Sequence, residues 1–220
     1  LLLNGSVQES DVFNPSQAKK VFRLSMNDLT ESLLLSRLTE ILERQAPGIQ
    51  IESYFTARQD LAKELESGAI DLAIDAPLVV DPQLRHSRLM DVKYVCMLRK
   101  GHPWKGEKLS MQDYLKLGHI HISSRRTGLG VVDTELHRLG LKRHIQMRVQ
   151  HYMVAPQIAM RSDLALTGPD HLLNDYDARL IELPFDLPTM GWHMYWHRSS
   201  DKDQANRWLR ELISSTLHPV

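Results

Sequence analysis

Between residues 21 and 46 the spacing of apolar side chains changes from that of a strand to that of a helix. In VFRLSMND, Val21, Phe22, Leu24 and Met26 lie too densely for a strand with one wet face and suit one covered by helices. The following LTESLLLSRLTEILERQA sets Leu34, Leu38, Ile41 and Leu42 on one helical stripe, and Leu33 and Leu35 widen the arc beyond what one buried face requires. Asp28 offers an acceptor at the helix start, with Glu31 at capping-box spacing. The junction therefore presents helix N–H groups at a strand end, where open α/β sheets bind small ligands.

The alternation of strand and helix continues. Ala46-Pro47-Gly48 stops the first helix; Ile49 and Ile51 alternate in a strand that ends near Phe55. Thr56 and Gln59 have capping-box spacing before a helix carrying Leu61, Ala62 and Leu65, which Gly68 ends. Ile70–Ile74 is apolar enough for a central strand. Val79–Leu89 is polar and predicts no regular element, whereas Lys93–Arg99 predicts a strand and Lys100–Trp104 a turn. Further strands are expected at Ile120–Ile122, Ile145–Val149 and Leu164–Gly168, with helices around Ser110–Leu117, Val131–Leu139, Ala155–Arg161 and Asp170–Leu173. Met190, Trp192, Met194 and Trp196 alternate in a returning strand before a terminal helix from about Lys202.

Short connections between these elements favour parallel sheets. Two α/β lobes with two crossings would form a cleft able to enclose a small molecule, and one larger doubly wound sheet is the alternative on periodicity alone. Under the two-lobe reading, residues 1–20 are residual linker, residues 21–99 with 190–220 form lobe I, and residues 100–189 form lobe II.

With 220 residues and 42% apolar content, a sizeable core is affordable. Lys plus Arg equals Asp plus Glu at 27 each, which favours neither nucleic-acid binding nor disorder. Cys96, the single cysteine, alternates with Tyr94 and Leu98 as a buried strand position in a reducing compartment. The opening LLLNGSVQES has only three apolar residues and reads as neither signal peptide nor membrane span, so a soluble cytoplasmic protein is expected.

The 11 histidines invite a search for metal or acid–base chemistry. His119 and His121 share a strand face, but His144, His151, His193 and His197 are scattered, with no HExxH or Cys/His set, so neither a metal nor a cofactor is expected. Gly128 and Gly130 lack the lysine of a phosphate loop, and Ser123-Ser124 has no nucleophile-elbow context, so no enzyme activity is assigned. Polar groups instead collect at strand ends. Asn27, Asp28 and Thr30 occupy the first; Ser123, Ser124, Arg125 and Arg126 follow the strand at 120–122, where the arginines favour an acidic ligand or simply face solvent. His151 and Tyr152 join a polar ring to a flat one, and Thr167 walls a pocket or turns the chain.

The stretches FNPSQAKKVFRLSMND, APGIQIE, LESGAIDLAI, GHPW, HIHISSRRTGLG, LGLKRHIQMRVQHYMVAP and YWHRSSDKDQANRWLREL, in that order, resemble the effector-binding domain of LysR-type transcriptional regulators. The similarity is greatest to the branch of nodulation and aromatic-degradation regulators. It implies two Rossmann-like α/β lobes of the periplasmic-binding-protein-like (type 2) fold. Such a domain senses a small aromatic or acidic effector and acts on DNA only through a winged helix-turn-helix that this stretch does not contain. The effector set so implied is Asn27, Asp28, Thr30, His119, Ser123, Ser124 and His151, with Tyr195 approaching on the returning strand. Arg125-Arg126 departs from the smaller residues of related sequences, altering charge preference or closing part of the pocket.

The resemblance also implies a homodimer, tetrameric in a full-length protein, with no membrane partner. The helix at 29–45 would face the helix at 130–139 of a second copy, through Leu33, Leu35 and Leu42 on one side and Val131, Leu136 and Leu139 on the other. Two other functions share parts of this pattern. A solute-binding protein for transport has the same two-lobed construction, and an enzyme would use His151 or His119 with an acid–base partner that the sequence does not display.

Overall fold

The computed structural model describes residues 12–78 and 81–217; the opening apolar triplet, part of the expected linker and Val79 lie outside them. The chain begins with β1 (Lys20–Ser25), α1 (Asp28–Gln45), β2 (Ile49–Tyr54), α2 (Leu61–Ser67), β3 (Leu72–Asp75) and β4 (Leu84–Val92). Next come β5 (Tyr94–Arg99), α3 (Met111–Lys116), β6 (Gly118–Ile122), α4 (Val131–Arg138), β7 (His144–Val149), α5 (Ala155–Ala159), β8 (Leu164–Pro169), α6 (Asp170–Leu173) and β9 (Ala178–Ile181). It closes with β10 (Met190–His197) and α7 (Gln204–Leu217).

These elements build two five-stranded sheets, ordered β2-β1-β3-β10-β4 and β7-β6-β8-β5-β9, which decides against one doubly wound sheet. Two α/β lobes with crossover strands are the periplasmic-binding-protein-like type 2 fold. Among the described residues, the first unit comprises those up to Met26, Glu31–Leu89 and those from His193 onward; the second comprises Asn27–Thr30 and Met90–Trp192.

In the first unit β1 runs parallel to β2 and β3, with Phe22 opposite Ile51 and Leu24 opposite Leu72. Phe22 and Leu24 are fully buried, each stabilising the fold by roughly 1.5–3 kcal/mol. Leu34 and Leu38 of α1 point inward as expected, while Leu33 and Leu35 remain half-buried. A second cluster joins Leu61, Leu65, Ile70, Ala73 and Tyr195.

Two helix starts differ from the sequence reading. The Asn27 side chain, not that of Asp28, caps α1, accepting from the Thr30 N–H at 2.9 Å, and Glu31 accepts from the Ser53 hydroxyl at 2.6 Å instead of closing a box. Before α2, Thr56 donates its hydroxyl to Glu64 at 2.9 Å, and the helix starts later, at Leu61, without a side-chain cap. Its other end is as expected, with Gly68 in the left-handed region at φ 72°.

Two strands escaped the hydrophobic pattern. β4 lies at the end of its sheet and carries Arg85, His86 and Arg88 exposed; an edge strand needs no apolar alternation on its wet side. β9 is a four-residue edge strand. The boundary also moves: β5 pairs antiparallel with β8 and β9, so the chain passes into the second unit within β4, at Leu89–Met90, and not at the turn after Arg99. It returns within β10, after Trp192.

The second unit packs Cys96, Leu98, Tyr114, Leu136, Ala165 and Ile181 into one core. Val132 and Leu136, one helical turn apart, form the inward face of α4. Leu136 is fully buried and has no surface to offer a partner, which corrects its expected place in a dimer seam; Leu42, at 7% exposure, is nearly as enclosed. Leu139 is 42% exposed. No described helix is long and apolar enough to cross a membrane.

Candidate functional site

Strand β6 runs parallel to both β7 and β8, so these three strands deliver their C-terminal ends to one edge of the second sheet. Ser123–Gly130 follows β6, Gln150–Val154 follows β7, and α6 follows β8. Such an edge, where loops replace the sheet and N–H groups face outward, is the usual ligand position in parallel α/β sheets.

Asn27–Thr30 belongs to the same unit. Because Asn27 takes the capping role, the Asp28 carboxylate is released to point elsewhere. Its two oxygens accept the backbone N–H groups of Tyr152 at 3.1 Å and Met153 at 2.8 Å. These are charge-assisted bonds, and each oxygen takes one donor. Thr30 is buried, and its hydroxyl donates to Asn27 at 3.1 Å, so it is committed to the cap.

The loop after β6 is braced from within. Ser123 donates its N–H to the Val149 carbonyl at 2.8 Å, and its hydroxyl accepts from the Arg125 N–H at 3.1 Å. Arg125 reaches forward to the Leu129 carbonyl at 3.0 Å, while Arg148 of β7 donates to the Arg125 carbonyl at 3.2 Å. Ser124, Arg125 and Arg126 are exposed, as is His151. Tyr152 is half-buried; burial first, and then the neighbouring Tyr152, push the Tyr94 hydroxyl above its ordinary range.

Beneath this edge runs a buried polar network that the sequence reading missed. Arg143 grips Asp133 with two bonds, Nε to Oδ1 at 2.7 Å and a terminal nitrogen to Oδ2 at 2.9 Å. His121 brings Nδ1 to 3.2 Å from both partners. Burial opposes the Asp133 charge, but the hydrogen bonds from Arg143 and His121 outweigh it and hold the carboxyl far below the usual range. Gly130, at the start of α4, is required by this packing, since a Cβ there would sit 2.9 Å from the His121 ring. The spacing of His121, Asp133 and Arg143 matches no motif; they meet only because β6 and α4 pack together.

His119 and Thr167, expected at the ligand, lie in the same interior. His119 is fully buried with Nε2 2.8 Å from the Tyr114 carbonyl, so that nitrogen carries the proton; burial pulls its pKa down to about 4. Thr167 pairs with the Tyr114 hydroxyl at 2.8 Å. Tyr195 lies in the first unit, 5% exposed, its hydroxyl accepting the Leu78 N–H at 2.9 Å. The structure therefore brings together Asn27, Asp28 and Thr30 with Tyr152, and Ser123 and Arg125 with the end of β7. His119, Thr167 and Tyr195 are occupied by core contacts. Among the described residues, no group of three or more His, Cys, Asp or Glu side chains is placed to hold a metal ion.

Residues 15–217 match the family model described as the LysR substrate binding domain. The chain is 32% identical over 215 residues to the HTH-type transcriptional activator NahR of Pseudomonas putida, covering 96% of this chain and 72% of that protein. It is 32% identical to the HTH-type transcriptional activator NagR of a Ralstonia species, covering 96% and 71%. Its fold superposes on the crystal structure of a transcriptional regulator from Pseudomonas aeruginosa with a TM-score of 0.84 at 26% identity, over 91% of this chain and 68% of the other. These likenesses favour a regulator over a transport protein or an enzyme. The chain belongs to the LysR substrate binding domain family and is the effector-binding domain of a LysR-type transcriptional regulator.

Proposed function

We propose that this domain senses its small molecule at the C-terminal edge of β6, β7 and β8, against the start of α1. The observation that carries this reading is the Asp28 carboxylate bonded to the Tyr152 and Met153 N–H groups, which sets the start of α1 beside the loop that follows β7. A ligand entering there meets the exposed Arg125, Arg126 and His151. This donor-rich group suits a small anion, and the flat Tyr152 ring suits an aromatic body. The effector is accordingly a small aromatic carboxylate. The half-buried Leu33 and Leu35 of α1, with Val131 and the exposed Leu139 of α4, form the contact of a cytoplasmic homodimer.

Thermal-shift screening of small aromatic carboxylates beside their neutral amides tests the reading. A carboxylate should raise the melting temperature in a His151→Ala-sensitive and Arg125→Gln-sensitive way, with the matching amide inert. Stabilisation by amide and acid alike, undiminished in both variants, would remove these residues from the site.

A further inference from the structure

His86 and His193 are 107 positions apart in sequence yet sit on β4 and β10, neighbouring strands of the first sheet. Their Nδ1 atoms face each other at 3.2 Å, and the ring centroids are 5.3 Å apart. In the metal-free protein one ring donates its Nδ1 proton to the lone pair of the other. A metal ion replaces that proton by accepting both lone pairs. Two nitrogens held ~2.05 Å from one metal stand ~3.3 Å apart at a tetrahedral angle and ~2.9 Å apart at a right angle. The observed separation falls between these values.

The surroundings agree with ligation. Tyr195 stacks on His193 at 6.1 Å and lies 5.8 Å from His86, restricting rotation of both rings. His86 is exposed, leaving the outer positions of an ion to water. Asp75, opposite His193 in register, is occupied by Arg58 at 2.7 and 2.8 Å and stays outside the set.

We propose that His86 and His193 form a two-imidazole site for a divalent transition-metal ion of the copper and zinc class. Imidazole pairs suit these ions and not magnesium or calcium. Because the chain passes between its two units on β4 and β10, a bound ion ties together the two connecting strands. The site does not depend on the effector reading above.

Titrating copper(II) into the metal-free 220-residue chain, followed by electron paramagnetic resonance, tests the assignment. One equivalent should bind with coupling to two nitrogens, and zinc should displace it. His86→Ala, at an exposed edge position, and His193→Ala should each weaken binding by at least about tenfold, with circular dichroism unchanged in the former. His137→Ala, at an exposed position away from the pair, should bind as the parent does. Unchanged affinity in His86→Ala, or a parent signal spread over several weak sites among the 11 histidines, would overturn the proposal.

Discussion

The carboxylate of Asp28 accepts the N–H groups of Tyr152 and Met153, at 3.1 and 2.8 Å, across more than 120 residues of sequence. Both donors are partly buried, so removing the acceptor strands them. Asp28→Ala is expected to destabilise the domain by about 1–3 kcal/mol in urea unfolding, and Asp28→Asn, which keeps one carbonyl acceptor, by less. Equal stability for all three proteins would show that water replaces the carboxylate without cost.

The Asp133–Arg143 pair makes a sharper demand. Arg143→Met leaves a buried carboxylate without its cation, and Asp133→Leu a buried guanidinium without its anion; each should cost roughly 3–5 kcal/mol. The double variant should be more stable than either single one, because no charge is then left unpaired. Since Asp133 is held below its unfolded value near 4, its contribution is complete above that pH and fades as acid is added below it. Chemical denaturation of the four proteins at pH 7, repeated for the parent below pH 4, checks both statements.

His119 has a different pH window. It is buried neutral with a pKa of about 4, against about 6.5 in an unfolded chain. Its share of stability is therefore complete above pH 6.5 and is lost as the pH falls toward 4, a change of about 3 kcal/mol. The urea midpoint of the parent should fall between pH 7 and 4.5. That of His119→Gln, which does not titrate, should fall less. Parallel curves would contradict the placement of His119 as a neutral core residue.

The apolar rhythm made most of the fold legible, because the strands β1, β3, β5, β6 and β8 are buried by helices and spell this in Val, Ile and Leu. β4 was not, since an edge strand with Arg85, His86 and Arg88 on its wet side looks like a loop. The strand-end loops were legible as polar clusters, but the role of each side chain was not. Asn27 and Asp28 are adjacent and chemically alike, and only their three-dimensional directions make one the cap and the other a long-range acceptor. His121, Asp133 and Arg143 carried no signal beyond the shared face of His119 and His121, because their meeting depends on helix packing.

Helix α4 separates core from surface leucines. Leu136→Ala should open a cavity costing about 2–5 kcal/mol without a specific effect on assembly. Leu139→Asp, at an exposed position, should leave monomer stability nearly unchanged while weakening the homodimer. Light scattering across a concentration series distinguishes them; a mass unaffected by Leu139→Asp would move the dimer contact away from α4.

Hydrogen exchange, with and without the carboxylate that the thermal screen selects, tests the central claim most directly. Amides of residues 27–30, 123–126 and 151–153 should be slowed together on binding, and the protection at all three segments should vanish in Arg125→Gln. Protection confined to other segments, with these three unchanged at saturating ligand, would contradict effector sensing at the β6–β7–β8 edge.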